Sequence, residues 1–329
     1  MNSNLPLVSV VISVFNGERY ILEALSSIVE QTYKKLEIIV IDDGSTDSTL
    51  EIIKGVEDER IILVSRENKG LIFSLNEGIK LASGKYIARM DADDISIDSR
   101  ISEQVKFLEE NPDIGVVGAF AKVFGEGVKE KIFKQPCLHD EIISKMYIDS
   151  PFIHPSVMLR RDLLINNNLF YDFEYYRVED FALWVKLSKI TTLANIPRVL
   201  LRYRYLESSE TRLSQNDITV RTKVLEKVFE LYLNRINTIG LCDEEVSLYT
   251  KSMMRANFKE INVKKLNLVY NKVTNVNNNF YLKMNLGYRW LGLFFVVKKN
   301  IVKNPFLLIT SKNSYYGLLA VLKKINVVK

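Results

Sequence analysis

Cysteine is nearly absent: Cys137 and Cys242 are the two in 329 residues. Two thiols cannot build a disulfide framework, and no close Cys/His spacing offers a zinc site. Both read as buried or idle thiols in a reducing cytosol. A basic segment ahead of the first apolar run is missing too, and that run passes straight into a polar turn, so no secretory signal is read there. The apolar stretch Leu286–Val297 is too short to cross a bilayer. Between Ile261 and Lys329 there are twelve lysines and arginines and no aspartate or glutamate. The first 260 residues then hold 33 basic against 40 acidic side chains, so a mildly acidic body carries a basic tail.

What is present is a foldable chain, 47% hydrophobic and 26% charged, long enough for a large domain plus an appendage or two modest domains. No internal repeat interrupts it. Short apolar runs alternate with helical spacing along the first half. Strands are predicted at Leu7–Phe15, Leu36–Ile41, Arg60–Val64 and Tyr86–Met90, and helices at Arg19–Glu30, Thr49–Val56 and Leu71–Ala82. Strand–helix alternation at this spacing implies a mostly parallel sheet with helices on both faces, an α/β fold. Further on, strands are expected at Ile114–Phe124, Ser156–Leu159 and Val199–Tyr205, with a helix at Glu179–Lys189. Amphipathic helices at Ile218–Leu233 and Glu244–Asn257 change the style, so the sheet is expected to end near residue 210. Asn277-Asn278-Asn279 reads as a loose joint before the apolar tail.

The polar residues cluster where strands end: Asn16-Gly17-Glu18, Asp42-Asp43-Gly44-Ser45 and Asp91 to Asp94. In open α/β sheets that edge is where ligands bind. Asp91-x-Asp93-Asp94 is the sharpest signal. Carboxylates two residues apart at a strand end share one small space, which is costly unless a cation sits between them. Hard oxygen ligands suit Mg²⁺ or Mn²⁺; a solvated turn capping the helix near Ser99 is the other reading. The Asp42 to Asp47 stretch also reads two ways. It is either a structural turn with Gly44 and caps at Ser45 or Asp47, or a carboxylate that accepts from a nucleotide base or ribose. A phosphatase is disfavoured because Ile41 stands where its nucleophile would be. A nucleotidyltransferase is disfavoured because no glycine-rich phosphate loop follows the first strand.

Five stretches in order resemble glycosyltransferase family 2 on the GT-A fold: Val8–Glu18, Glu37–Thr49, Glu67–Asp94, Phe152–Arg161 and Val178–Leu187. The resemblance covers about residues 7–210. It implies a Rossmann-like, mostly parallel sheet flanked by helices, with a mainly helical C-terminal extension from 211 to 329. It implies that Asn16 and Glu18 hold a nucleoside and that Asp43 binds uracil. Asn68 and Gly70 match an Asn-x-Gly loop near the nucleotide, continued by Asn76 and Gly78. Of the Asp91/Asp93 pair, the first faces the ribose or sugar and the second ligates the metal. Glu179 and Asp180 match the acidic pair that contains the general base, assigned here to Asp180. Beside an acceptor hydroxyl such a carboxylate suits a single in-line displacement, and its neighbour raises its proton affinity. The bland reading places the two carboxylates in a first helical turn, favoured by the dipole. His154 is implied near acceptor or phosphate, with a structural histidine as the alternative, and Arg202 near the diphosphate. The chain departs from the family at Leu206, where many relatives have histidine, and at Leu75, often arginine.

The tail runs Leu286–Val297, Phe306–Thr310 and Tyr315–Ile325 mix apolar residues with flanking lysines. They suit either a helix lying on an anionic membrane surface or a helical subdomain packed on the catalytic domain, with a homodimer contact as one use of it. The expectation is an inverting, metal-dependent transferase. It moves a hexose or N-acetylhexosamine from a UDP-sugar to a glycan or lipid-linked glycan, in cell-surface polysaccharide synthesis, peripherally at the inner face of the cell membrane. Nucleic acid is not expected as a partner. A non-catalytic scaffold of the same fold is the rival.

Overall fold

The computed structural model describes residues 5–206, 218–254, 261–297 and 311–324. The chain forms two compact units, one of Met1–Leu138 with Phe152–Ser209, the other of His139–Pro151 with Glu210–Lys329.

In the first unit, β1 (Val8–Val14), β2 (Leu36–Asp42), β3 (Ile61–Ser65) and β4 (Tyr86–Asp91) are all parallel. Val10 of β1 stands between Ile38 and Ala88. The sheet continues through β5 (Ile95–Ser96), β6 (Ile114–Phe124), β7 (Lys131–Phe133), β8 (Met158–Arg160) and β9 (Thr192–Arg204). Its order is β3-β2-β1-β4-β8-β6-β9-β5, with β7 against β6. β8 runs antiparallel to both β4 and β6, and β6 pairs parallel with β9. The mixed centre brings a later strand, β9, to the turn at the end of β4.

Alternation explains how the faces fill. Val8, Val10, Ile12 and Val14 enter one core with Ile21, Leu25 and Ile28 of α1 (Ile21–Val29). Ile101, Val105 and Leu108 of Arg100–Glu110 belong to the same core. Val11 points the other way, to α3 (Leu71–Leu81), which follows the short helix α2 (Thr49–Lys54). There α3 lies so close that a Cβ on Gly78 would collide with Val11 Cγ1.

Strand β9 begins seven residues before the expected Val199. The register against β6 passes from Ala119↔Ile196 to Phe120↔Val199, so Pro197 and Arg198 form a bulge. A proline inside an apolar run argues against a strand by sequence, and the bulge is what accommodates it.

The second unit is helical: Ile218–Glu230, a π-helical turn at Leu231–Ile236, Asp243–Met254, Val263–Val276, Phe280–Val297 and Lys312–Lys324. It also takes in His139–Met146, whose pattern gave no helix by sequence. Buried aromatics bind it: Tyr249 donates to the Tyr147 carbonyl at 2.5 Å and Tyr232 to the Ile143 carbonyl at 3.1 Å. Asn277-Asn278-Asn279 is the non-helical joint between Val263–Val276 and Phe280–Val297, and Asn279 caps the second helix, its Oδ1 accepting from the main-chain nitrogen of Tyr281 at 2.8 Å. Among the described residues no helix is long and apolar enough to cross a membrane. The run Phe306–Thr310 lies outside the described residues.

Candidate active site

The loops that end β1, β2 and β3 are knitted together. Asn16 adopts a left-handed φ of 51°. Its Oδ1 accepts the Thr46 main-chain N–H at 2.8 Å, and its own N–H donates to Ser45 Oγ at 2.9 Å. Glu18 Oε2 accepts the Ser48 N–H at 2.9 Å. Both side chains therefore brace the loop after β2. Ser45 is spent on this bracing, and Asp47 accepts from the Thr49 nitrogen at 3.1 Å at the start of α2.

Asp43 is 3% exposed and fully engaged with the loop after β3. It accepts from the main-chain nitrogens of Lys69 and Gly70, each at 2.9 Å, and pairs with Arg66. Arg66 in turn donates to Glu77 and Ser74 on α3, at 2.9 and 2.8 Å. Gly44, at φ 77°, is required because this loop crosses it: a Cβ there would lie 2.6 Å from Asn68 N. Asn68 itself is exposed. Asn76 lies apart from that loop, on α3, where its amide exchanges hydrogen bonds with the Tyr171 backbone at 2.8 and 2.9 Å.

At the end of β4, carboxylate oxygens of Asp91, Asp93 and Asp94 lie within 4.8 Å of one another. Burial, then the Asp91 charge, pushes the Asp93 carboxyl up to about 6. Asp94, 1% exposed, is pushed well up by the same two causes, and its Oδ2 is buried without a hydrogen-bond partner among the described residues. Crowded, charge-starved oxygens fit a divalent cation such as Mn²⁺ or Mg²⁺. β9 grips this turn through Arg204, which donates from its main-chain nitrogen to Asp94 Oδ1 and through Nε to the Asp93 carbonyl, each at 2.7 Å. Arg202, two residues earlier, stacks over Phe124 at 4.3 Å instead. Leu206 is half-buried beyond the strand end.

After α4 (Arg100–Glu110), α5 (His139–Met146) and α6 (Arg161–Asn166), Glu179 and Asp180 open α7 (Glu179–Leu187). Glu179 is 7% exposed, its Oε2 has no hydrogen-bond partner among the described residues, and burial followed by the Asp180 charge pushes its carboxyl up to about 7. Asp180 is half-buried. His154 meets the Tyr171 hydroxyl at 2.7 Å, and burial, then the Arg89 charge, holds the imidazole well below its ordinary value, so it stays neutral. The charge of Arg89 on β4, which pairs with Asp91, also acts on Glu179, Asp93 and Asp94.

Sequence reasoning missed Arg66 and Arg89 as site residues, and in the stretch Arg202-Tyr203-Arg204 it chose Arg202, whereas Arg204 is the one that holds the acidic turn. Arg89 left a signal: a charged residue in the middle of the buried run Tyr86–Met90, alternating onto the face of Asp91.

The profile described as glycosyl transferase family 2 matches residues 9–167. A glycosyltransferase of Haemophilus influenzae, itself uncharacterised, is 38% identical over 247 residues, 71% of this chain and 76% of that protein. Among solved structures, S. aureus TarS 1–349 in complex with UDP-GlcNAc has a TM-score of 0.59 at 19% identity, over 97% of this chain and 92% of that one. The mannosyltransferase PcManGT of Pyrobaculum calidifontis, in complex with GDP-Man and Mn²⁺, has 0.56 at 18%, over 99% and 89%. These two likenesses speak for the fold, which is the expected α/β architecture with a helical C-terminal part.

Proposed function

The chain belongs to glycosyl transferase family 2, and we propose that it is an inverting, metal-dependent transferase using a UDP-sugar. The observation that carries this reading is the convergence of Asp91, Asp93 and Asp94 at the C-terminal end of β4. UDP-GlcNAc in TarS agrees with a UDP-sugar donor, although PcManGT holds GDP-Man, and the Mn²⁺ of PcManGT agrees with a metal at the acidic turn.

In this reading Asp93, with Asp91, holds Mn²⁺ or Mg²⁺; the chemistry the ion supplies is charge neutralisation on the departing diphosphate. The knitted loops of Asn16, Glu18, Asp43, Asn68 and Gly70 receive the nucleoside. Asp180, with Glu179 beside it, takes the proton of the acceptor hydroxyl. The hydroxyl oxygen bonds to the anomeric carbon as the carbon–phosphate oxygen bond breaks, and configuration inverts. His154, neutral beside Tyr171, orients substrate by hydrogen bonding. The transferred sugar is a hexose or N-acetylhexosamine, and the acceptor a lipid-linked glycan at the inner face of the cell membrane. The acid-free basic segment Ile261–Lys329 suits that anionic surface.

The test is UDP release from a panel of UDP-sugars with Mn²⁺ or Mg²⁺ and lipid-linked acceptors. Asp93→Ala should lose metal-dependent donor binding, whereas Asp180→Asn should still bind donor but fail to transfer. No binding or turnover of any donor would favour the non-catalytic scaffold.

A further inference from the structure

Arg89 is a buried cation that leaves most of its hydrogen-bonding capacity unspent. It lies mid-strand in β4 at 7% exposure. Its main-chain nitrogen donates to the Val157 carbonyl at 2.9 Å, and its carbonyl accepts from Arg100 at 2.7 Å. The backbone at this point is therefore pinned on both sides. The Arg89 guanidinium pairs through one terminal nitrogen with Asp91. Nε and the other terminal nitrogen are buried with no hydrogen-bond partner among the described residues.

Fold stability does not account for such a residue. Burying a guanidinium costs several kcal/mol in desolvation, and an apolar side chain of similar volume commonly serves a core as well or better. The apolar neighbours here, Val11, Leu75, Ile87, Leu159 and Trp184, would suit one. Asp91 would not be stranded by the exchange, because its side chain is 31% exposed and water can reach it. What arginine does contribute is charge shared by two separate groups of carboxylates. One is the acidic turn after β4, where the guanidinium pairs with Asp91, and the other is Glu179 at the start of α7.

We propose that Arg89 is the positioning residue of the transfer, locking the Asp91 carboxylate in place while giving the acidic turn and the Glu179–Asp180 pair a common fixed positive charge. The inference rests on the transferase reading. It adds to that reading a residue which touches no substrate, since its free nitrogens are buried, and acts through Asp91 and Glu179. Without it, Asp91 loses its ion-pair partner and Glu179 loses a cation that opposes the Asp180 charge. The groups facing Glu179 are Asp180 on its own helix, Arg89 from β4, Arg177 just before α7, whose main-chain nitrogen donates to it, and Tyr171 from the loop before α7. The charge of Arg89 opposes protonation of Glu179, so its removal makes that protonation easier.

The experiment compares the full-length wild type with Arg89→Met and Arg89→Lys. It measures steady-state transfer from the best UDP-sugar across pH, together with thermal unfolding. Arg89→Met should unfold at or above the wild-type temperature, raise KM for donor about tenfold as Asp91 loosens, and lose about a hundredfold in kcat. The acid limb of its pH profile should move to higher pH. Arg89→Lys should recover about tenfold of the lost rate by restoring the charge without the fork geometry. Wild-type kcat in Arg89→Met overturns the proposal. So does a rate loss that tracks a fall in unfolding temperature and is the same in both variants, because that is a packing role. If the wild type turns over no donor, the transferase reading fails and this proposal falls with it, a result distinct from an active wild type with an active Arg89→Met.

Discussion

The main-chain nitrogen of Arg204 donates to Asp94 Oδ1 at 2.7 Å. The end of β9 thereby determines where the acidic turn after β4 sits, although 110 residues separate the two partners. The Arg204 side chain reinforces the grip, donating to the Asp93 carbonyl, pairing with Glu23 and lying over the rings of Tyr20 and Phe124 at 4.4 and 4.5 Å.

Arg204→Ala should therefore loosen the turn without removing a carboxylate. Metal-dependent UDP affinity is expected to fall about tenfold, the loss of one charge-assisted contact and its packing. Calorimetric titration of UDP with Mn²⁺ checks this. Unchanged affinity would mean that the main-chain contact to Asp94 suffices to hold the turn.

Glu179 gives a stability signature with a definite sign. Its folded carboxyl is pushed up to about 7 from an ordinary 4.5, by burial and then by Asp180. The folded state thus binds the proton more tightly than the unfolded chain does. The stabilisation from that proton is complete below about pH 4.5 and is lost as pH rises through about 7. Glu179→Gln should be more stable than wild type near pH 8, by up to about 3 kcal/mol, and differ little near pH 4. Urea unfolding at the two pH values decides it. An equal difference at both would assign the effect to packing.

Gly78→Ala tests the seat of α3 on the sheet. The added Cβ collides with Val11 Cγ1, so α3 must shift or Val11 must change rotamer, at a cost of about 1–3 kcal/mol. Adding Val11→Ala should return part of this loss in chemical denaturation. Simple additivity of the two losses would show that they do not touch.

Particular residues show what was legible and what was not. β1 to β4 could be read because each is a short, mostly apolar run closed by a turn with Gly, Asp or Asn, and the turns after β2 and β4 carry the clustered carboxylates. The early half of β9 could not, because Pro197 disguises a bulge as a break. His139–Met146 interrupts the first unit in sequence and packs in the second, a choice made by tyrosine side chains from residues 232 and 249. Asn76 looked like part of a loop beside the nucleotide; in the fold its amide is taken by the Tyr171 backbone. Nothing local to Asn76 announces a partner so far along the chain.

The sequence by itself determined the alternation of strand and helix, and with it the ends of β1, β2 and β4 as the edge where Asn16, Asp43 and Asp91 to Asp94 gather. Those follow from local periodicity and turn chemistry, which need no distant partner. The tertiary structure alone decided that Asp43 would be held by Arg66 and that β9 would clasp the acidic turn through Arg204. It also decided that the charge of Arg89 would bear on Asp91 and Glu179 together. Each of these depends on how far apart separate elements come to rest, and that distance is set by packing across the sheet, which no short stretch of chain encodes.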